Sequence, residues 1–381
     1  MSHAKRLLYL VFLFMVTASA FAKPLPIPEP PSLDARSYIL LDFDSGQVLA
    51  AKNAEQRVEP ASITKLMTTY IVFDELKKGN ISPDDKVTIS EKAWRMGGSK
   101  MFIEVGTQVS VDDLLHGMVT ASGNDATVAL AEYVAGTEST FADYMNQYGR
   151  EIGLENSHFV DASGWPHENH YMSAHDIARL LGAIIRDFPE LYQQYFNEKK
   201  FTYNGIEQYN RNSLLWSDES VDGGKTGHTE AAGYCLSASA KRDGMRTIAV
   251  VTGTNSNNAR KSQTAALINY GFRFYESGHL FDAGKEIAEV RVWKGDDTML
   301  PVVAKGAVDV AFPRGQRDAL TTSAELPSTL LAPIKKGERL GTLEIKYDTK
   351  TLAQVPLFAG KDIERGGIFR QLTDEVMMMF E

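Results

Sequence analysis

Ser62 and Lys65 stand three residues apart in "PASITKLMTTY", residues 60 to 70, a stretch otherwise apolar enough to be buried. On a helix, positions i and i+3 share a face, so the hydroxyl and the amine can meet. A serine hydroxyl becomes a competent nucleophile when a neighbouring base takes its proton. Lysine can be that base once its pKa has fallen from about 10.4 to near neutrality, a shift of ~3 units or about 4 kcal/mol. Burial and a second cation nearby can together lower it that far. An apolar run is therefore where such a lysine belongs. A helix start at Ser62 also favours the negative charge that develops on an attacked carbonyl. Ser-x-x-Lys recurs by chance in long chains, and its bland reading is a helix start with a solvated lysine.

Two further motifs change that balance. Ser122-Gly123-Asn124 falls between two helical patterns and offers a hydroxyl and a carboxamide to a common cleft. Lys225-Thr226-Gly227, in "DGGKTGHTEAAGYC", precedes strand-like sequence. A cation, a hydroxyl and bare backbone at a strand edge suit an extended peptide that ends in a carboxylate. Gly227 leaves room for close approach. The backbone N–H groups of His228 and Ser62 are the expected oxyanion donors, and Lys225 is the expected second cation beside Lys65.

Ser-x-x-Lys, Ser-x-Asn and Lys-Thr-Gly, in that order, form the signature of the penicillin-recognising serine enzymes. The chain resembles the low-molecular-mass penicillin-binding proteins, serine-type D-alanyl-D-alanine carboxypeptidases of the bacterial envelope. The likeness spans the whole mature chain, and "VDGGKTGHTEAAGYCLSASAKRDGMRTIAVV" and "NYGFRFYE" carry it beyond the motifs. It implies that the penultimate D-alanine of a peptidoglycan stem peptide acylates Ser62, with release of the terminal D-alanine. It implies Lys65 as general base, and Ser122 as the relay to the leaving amine and to the deacylating water. Asn124 would hold the substrate amide. Thr226 and Arg260 would bind the terminal carboxylate, with Lys225 setting the local charge. Arg211, in "YNRNSLLW", matches a family arginine expected to pin the loop near Asp176. β-Lactams mimic the D-Ala-D-Ala end and are expected to trap Ser62. The family uses no metal and no cofactor.

Three other readings are weighed against this one. His167, Glu168, His170, His175 and Asp176 lie close in sequence, but their spacing fits no zinc motif, and a polar surface loop accounts for them. Glu168 raises a β-lactamase, since class A enzymes activate the deacylating water with a loop glutamate, yet the local pattern of that family is missing. A catalytically idle peptidoglycan-binding scaffold would have lost Ser62 or Lys65, and both are present. Cys235, the sole cysteine, reads as a small buried apolar residue.

Positioning these motifs requires an α+β domain over residues 37 to 277, an antiparallel sheet covered by helices with a separate helical lobe. "SYILLDFDSGQVLAAKN" and "GYCLSASAKRDGMRTIAVVTG" read as hairpins turning at Asp44-Ser45-Gly46 and Asp243-Gly244. Helices are expected from just before or at Ser62, from Ser110 with Asp113 as a capping arrangement, over Asp125 to Val134, and from about Asn258 to Tyr275. Residues 278 to 363 alternate apolar and polar positions between Gly, Pro and Asp turns, as an all-β domain does. Residues 364 to 381 regain helical period, with Ile368, Phe369, Leu372, Val376, Met379 and Phe380 on one face. That face suits interfacial attachment to a membrane, packing against another domain being the competing account.

At the other end, residues 1 to 22 place His3, Lys5 and Arg6 ahead of an apolar run and a small-residue close at Ala20-Phe21-Ala22, the layout of a cleavable export signal. A Pro-rich spacer, residues 23 to 36, follows it. Cleavage removes two basic residues, taking the formal charge from −9 to −11. So acidic a chain argues against a nucleic-acid partner. The expected setting is the periplasm, with peripheral attachment to the inner membrane.

Overall fold

Strands Gly233–Arg242 and Met245–Thr254 are joined by Asp243-Gly244, whose φ angles of 49° and 86° put both residues in the left-handed region that a two-residue hairpin turn needs. Their interior residues are buried without alternation, because helices cover the sheet on both faces. On one face lies helix Asn257–Phe274, whose Leu267 and Ile268 share a core with Leu236, Ala249 and Val251. On the other, helix Ala174–Asp187 brings Ile177, Leu181 and Ile184 into the core that holds Ile248 and Val250. The computed structural model describes residues 27–380, so the expected export signal and the start of the spacer lie outside the described residues.

The full sheet has five strands in the order Val48–Lys52, Ser37–Asp42, Met245–Thr254, Gly233–Arg242, Val221–Thr229, all antiparallel. The strand bearing Lys225 is thus an edge, with Lys225 opposite Ser237 and Gly227 opposite Cys235. Beside it stands the helical lobe, which includes Val111–Val119, Asn124–Ala135 and Glu138–Ile152. Ser110 caps the first of these by accepting from the Asp113 N–H, as the sequence pattern predicts.

Two local differences from the expected elements matter. Ser62 lies in a 3-10 turn, Ala61–Thr64, and the α-helix starts only at Lys65 and runs to Lys78. Residues i and i+3 eclipse in a 3-10 turn, which brings Ser62 and Lys65 closer in line than α geometry would. A short hairpin, Lys200–Tyr203 with Ile206–Tyr209, was not expected, although Asn204-Gly205 carries its turn signal with φ angles of 48° and 76°.

The second domain begins at strand Tyr275–Phe281, which pairs with Val308–Pro313. A six-stranded sheet, with Val292, Leu300, Val302, Leu343, Ile345 and Leu357 in its core, completes it. Gln47 ties the domains together: its amide donates to the Leu352 carbonyl at 3.1 Å and accepts from the Ala311 N–H at 2.5 Å. Helix Ile368–Met378 ends the chain.

Candidate active site

The 3-10 turn, the loop before Asn124 and the edge strand meet around a cleft of about 440 Å³ lined by Ser62, Ser122, Thr226, Gly227, His228 and Arg260, with Arg211 and Tyr234 at its sides. Gly227 explains how the strand comes so near. A Cβ there would lie 2.6 Å from the Pro60 carbonyl oxygen, so only glycine lets the strand lie against the turn that carries Ser62. The backbone is left-handed at Ala61, φ 48°, and at Ser122, φ 61°, placing strained residues beside both hydroxyls.

Lys65 is fully buried. Its Nζ donates to Ser62 Oγ at 2.9 Å, to Asn124 Oδ1 at 2.7 Å and to the Ser163 carbonyl at 2.9 Å. Burial pulls its pKa down to about 7, with Arg211 adding to the fall and the Asp161 and Asp125 carboxylates opposing it. An amine at that value is about half neutral at pH 7 and increasingly so above it, and its neutral form can accept the Ser62 proton. Lys225 is buried as well and bonds Ser122 Oγ at 2.8 Å. Burial pushes its pKa well below the usual lysine range, and Lys65, Arg211 and Arg260 push it further.

These contacts add to the expected roles. Arg211 is a further cation that lowers both Lys65 and Lys225, and the two buried amines also disfavour each other's charge. Ser122 is bonded to Lys225, not to Lys65. Asn124 holds Lys65, and one of its N–H donors goes to the Gly97 carbonyl at 2.8 Å, so a single donor remains for a ligand. Arg260 lines the cleft and donates to the Gly227 carbonyl at 3.1 Å, with the Tyr234 ring under its guanidinium.

The expected link between Arg211 and Asp176 is not formed. Arg211 is exposed beside the cleft, whereas Asp176 receives the Asn156 N–H and the Ser157 hydroxyl, both at 2.7 Å, and so pins a turn elsewhere. Asp176 is drawn there because it sits at the start of helix Ala174–Asp187, where a carboxylate is favoured.

Sequence reasoning missed three parts of the site. One is the Ser163 carbonyl, a backbone group that no side-chain pattern marks. Another is Asp125, whose carboxylate accepts the N–H groups of Met101, Phe102 and Ile103 and holds that segment against the Ser-Gly-Asn loop. The third is Tyr234, whose ring lies 3.9 Å from that of His228.

Gly164, next to Ser163, has φ +83°, and a Cβ there would collide with the Ala61 carbonyl oxygen. Gly164→Ala is expected to cost at least about 2 kcal/mol of stability through strain and overlap, and to slow acylation by displacing the nucleophile turn. Thermal unfolding of purified protein checks the first and penicillin labelling rates the second.

Residues 26–256 match the D-alanyl-D-alanine carboxypeptidase family, and residues 275–365 match the penicillin-binding protein 5 C-terminal domain. The chain is 42% identical to the D-alanyl-D-alanine carboxypeptidase DacC of Escherichia coli strain K12, covering 97% of this chain and 94% of that protein. It is 42% identical to DacA of Haemophilus influenzae, over 92% of this chain and 90% of that one. Among solved structures, penicillin-binding protein 5 from Haemophilus influenzae superposes with a TM-score of 0.86 at 42% identity, covering 89% of this chain and 100% of that one. Penicillin-binding protein D2 from Listeria monocytogenes, in an ampicillin-bound form, matches 64% of this chain and 100% of its own length at 28% identity, TM-score 0.60.

Proposed function

This chain belongs to the D-alanyl-D-alanine carboxypeptidase family, and we propose that it trims the terminal D-alanine from peptidoglycan stem peptides through an acyl-enzyme on Ser62. One observation carries the assignment of the nucleophile: Ser62 Oγ lies 2.9 Å from the Nζ of a buried lysine whose pKa stands at about 7. Neutral Lys65 takes the hydroxyl proton as Oγ bonds to the carbonyl carbon of the penultimate D-alanine. The oxyanion that forms is held by the N–H groups of Ser62 and His228. The C–N bond then breaks as the leaving nitrogen takes the Ser122 hydroxyl proton. Protonated Lys65 replaces that proton and returns to the neutral amine, while Lys225 holds Ser122 in place. A water molecule hydrolyses the ester by the reverse proton path and regenerates Ser62. Thr226 and Arg260 take the terminal carboxylate, and the free Asn124 donor takes the substrate amide carbonyl.

Glu168 is exposed and does not line the cleft, which counts against a deacylating glutamate of the class A β-lactamase kind. The hydrogen-bonded state of both lysines counts against an idle scaffold. Incubation with a fluorescent penicillin, followed by peptide mass mapping, tests the reading together with D-alanine release from a diacyl-Lys-D-Ala-D-Ala tripeptide. A stable adduct on the Ser62 peptide and free D-alanine are expected. Rapid loss of label with penicilloate would favour a β-lactamase, and no adduct with no D-alanine would favour a scaffold.

The terminal helix supports peripheral attachment to the periplasmic face of the inner membrane. Among the described residues no helix is long and apolar enough to cross a membrane. Asp374, 1% exposed, accepts the Lys294 N–H at 2.6 Å, and Glu375 pairs with Lys294. The acidic residues therefore dock the helix on the β domain instead of facing lipid. The apolar face is left open, with Phe369 90% exposed. Truncation after Gly366 is expected to abolish co-sedimentation with phospholipid vesicles while penicillin labelling stays intact.

A further inference from the structure

The loop of imidazoles and carboxylates, residues 167 to 176, takes no part in the chemistry above, yet one of its members is buried against the nucleophile turn. His170 is 2% exposed. Its Nε2 lies 2.9 Å from the Oγ1 of Thr64, the residue immediately before Lys65. Its Nδ1 lies 3.2 Å from Asp161 Oδ2. The other oxygen of that carboxylate accepts the backbone N–H groups of Ser163, Gly164 and Trp165 at 2.8, 2.7 and 3.2 Å. Ser163 returns its carbonyl to Lys65 Nζ at 2.9 Å, which closes a ring of contacts from Lys65 through Ser163, Asp161, His170 and Thr64 back to Lys65. His175 of the same loop is occupied by Glu55 at 2.5 Å.

We propose that Asp161 and His170, which belong to none of the three motifs, are positioning residues that fix both the place and the charge balance of the general base Lys65. The proposal rests on the reading of Ser62 as nucleophile and Lys65 as base. A buried amine beside Arg211 tends toward a pKa so low that it is too weak a base to take and hold the serine proton. A nearby buried anion counters that tendency. Of the two carboxylates that act on Lys65, Asp161 is the stronger and Asp125 the weaker. Burial pushes the Asp161 carboxyl up, but His170 and the loop amides outweigh it and hold the group well below the usual carboxylate range. It is therefore an anion throughout the working pH range. Lys92, Arg95, Glu138 and His167 share the cavity that Asp161 lines, with Lys92 paired to Glu138 at 2.7 Å. Lys225, the other buried cation acting with Lys65, is held by Ser122.

The test follows the second-order rate of acylation of the full chain by a fluorescent penicillin across pH. Asp161→Asn keeps an oxygen for the loop amides and removes the charge. Its acid limb is expected to move down by about one pH unit, raising the rate at pH 6 about fivefold relative to its own plateau. Asp161→Glu restores the charge and is expected to return the limb toward the wild-type position with a lower plateau. His170→Ala cuts the tie to Thr64 and is expected to lower the plateau about tenfold, with His170→Gln recovering much of it. A uniform fall for Asp161→Asn with the limb unmoved would reduce Asp161 to a loop brace and overturn the proposal, as would a wild-type plateau in His170→Ala. Should Asp161→Asn fail to fold, Thr64→Val removes only the hydroxyl facing His170, and an unchanged plateau there overturns the proposal too. Wild-type protein that takes no label on Ser62 would instead mean that the underlying reading of the nucleophile is wrong.

Discussion

Ser62→Ala is expected to abolish covalent labelling by penicillin and the release of D-alanine, with a loss of at least about 10⁴-fold in acylation rate. The fold should survive. Lys65 keeps the Asn124 carboxamide and the Ser163 carbonyl as acceptors, and the lost hydrogen bond is worth only about 1 kcal/mol. In-gel fluorescence and intact mass read the labelling, and a coupled D-alanine assay reads turnover. Residual label would point to a second nucleophile, and neither alternative is well placed. Ser122 Oγ accepts from Lys225 Nζ, and Lys65, the amine of lowered pKa that serves Ser62, makes no hydrogen bond to it. Cys235 is 1% exposed, and burial pushes its thiol pKa up, away from the reactive thiolate.

The second large effect concerns the base. Lys65→Arg is expected to lower acylation by about 10³-fold or more, because a guanidinium keeps its proton at every accessible pH. In the wild type the neutral amine is the active form, and its pKa of about 7 sets the sign of the pH dependence. Acylation should rise as pH increases through 7 and fall away below it, as the amine becomes protonated. In Lys65→Arg that limb should vanish along with the rate. Because arginine is bulkier at a fully buried position, Lys65→Ala serves beside it and is expected to lose acylation to a similar degree with no buried charge. Near-normal labelling of either folded variant would remove Lys65 from the role of general base.

Much of the catalytic equipment is legible in the residues themselves. Ser62, Lys65, Ser122, Lys225 and Gly227 are recognisable because their chemistry depends on residue type, and each motif spans only three or four positions. The hairpin at Asp243-Gly244 is legible for a similar reason: left-handed φ angles demand particular residues, and those residues announce the turn. The same rule would have found the hairpin at Asn204-Gly205. The exposed apolar face of the terminal helix follows from period alone, but its docking through Asp374 depends on the N–H of Lys294, 80 residues away.

The sequence by itself therefore determined the chemical parts and their order, because hydroxyls, amines and turn residues carry their properties wherever they stand. Only the tertiary structure decided which parts meet. Lys65 takes Asn124 and the Ser163 carbonyl across 59 and 98 residues, while Lys225 takes Ser122 across 103. It also decided that Arg211 faces the cleft and that His170 reaches Thr64. The lowering of the Lys65 pKa belongs to the same class. Desolvation and the field of nearby charges are properties of a place, and that place exists only once the turn, the loop and the edge strand have packed around it.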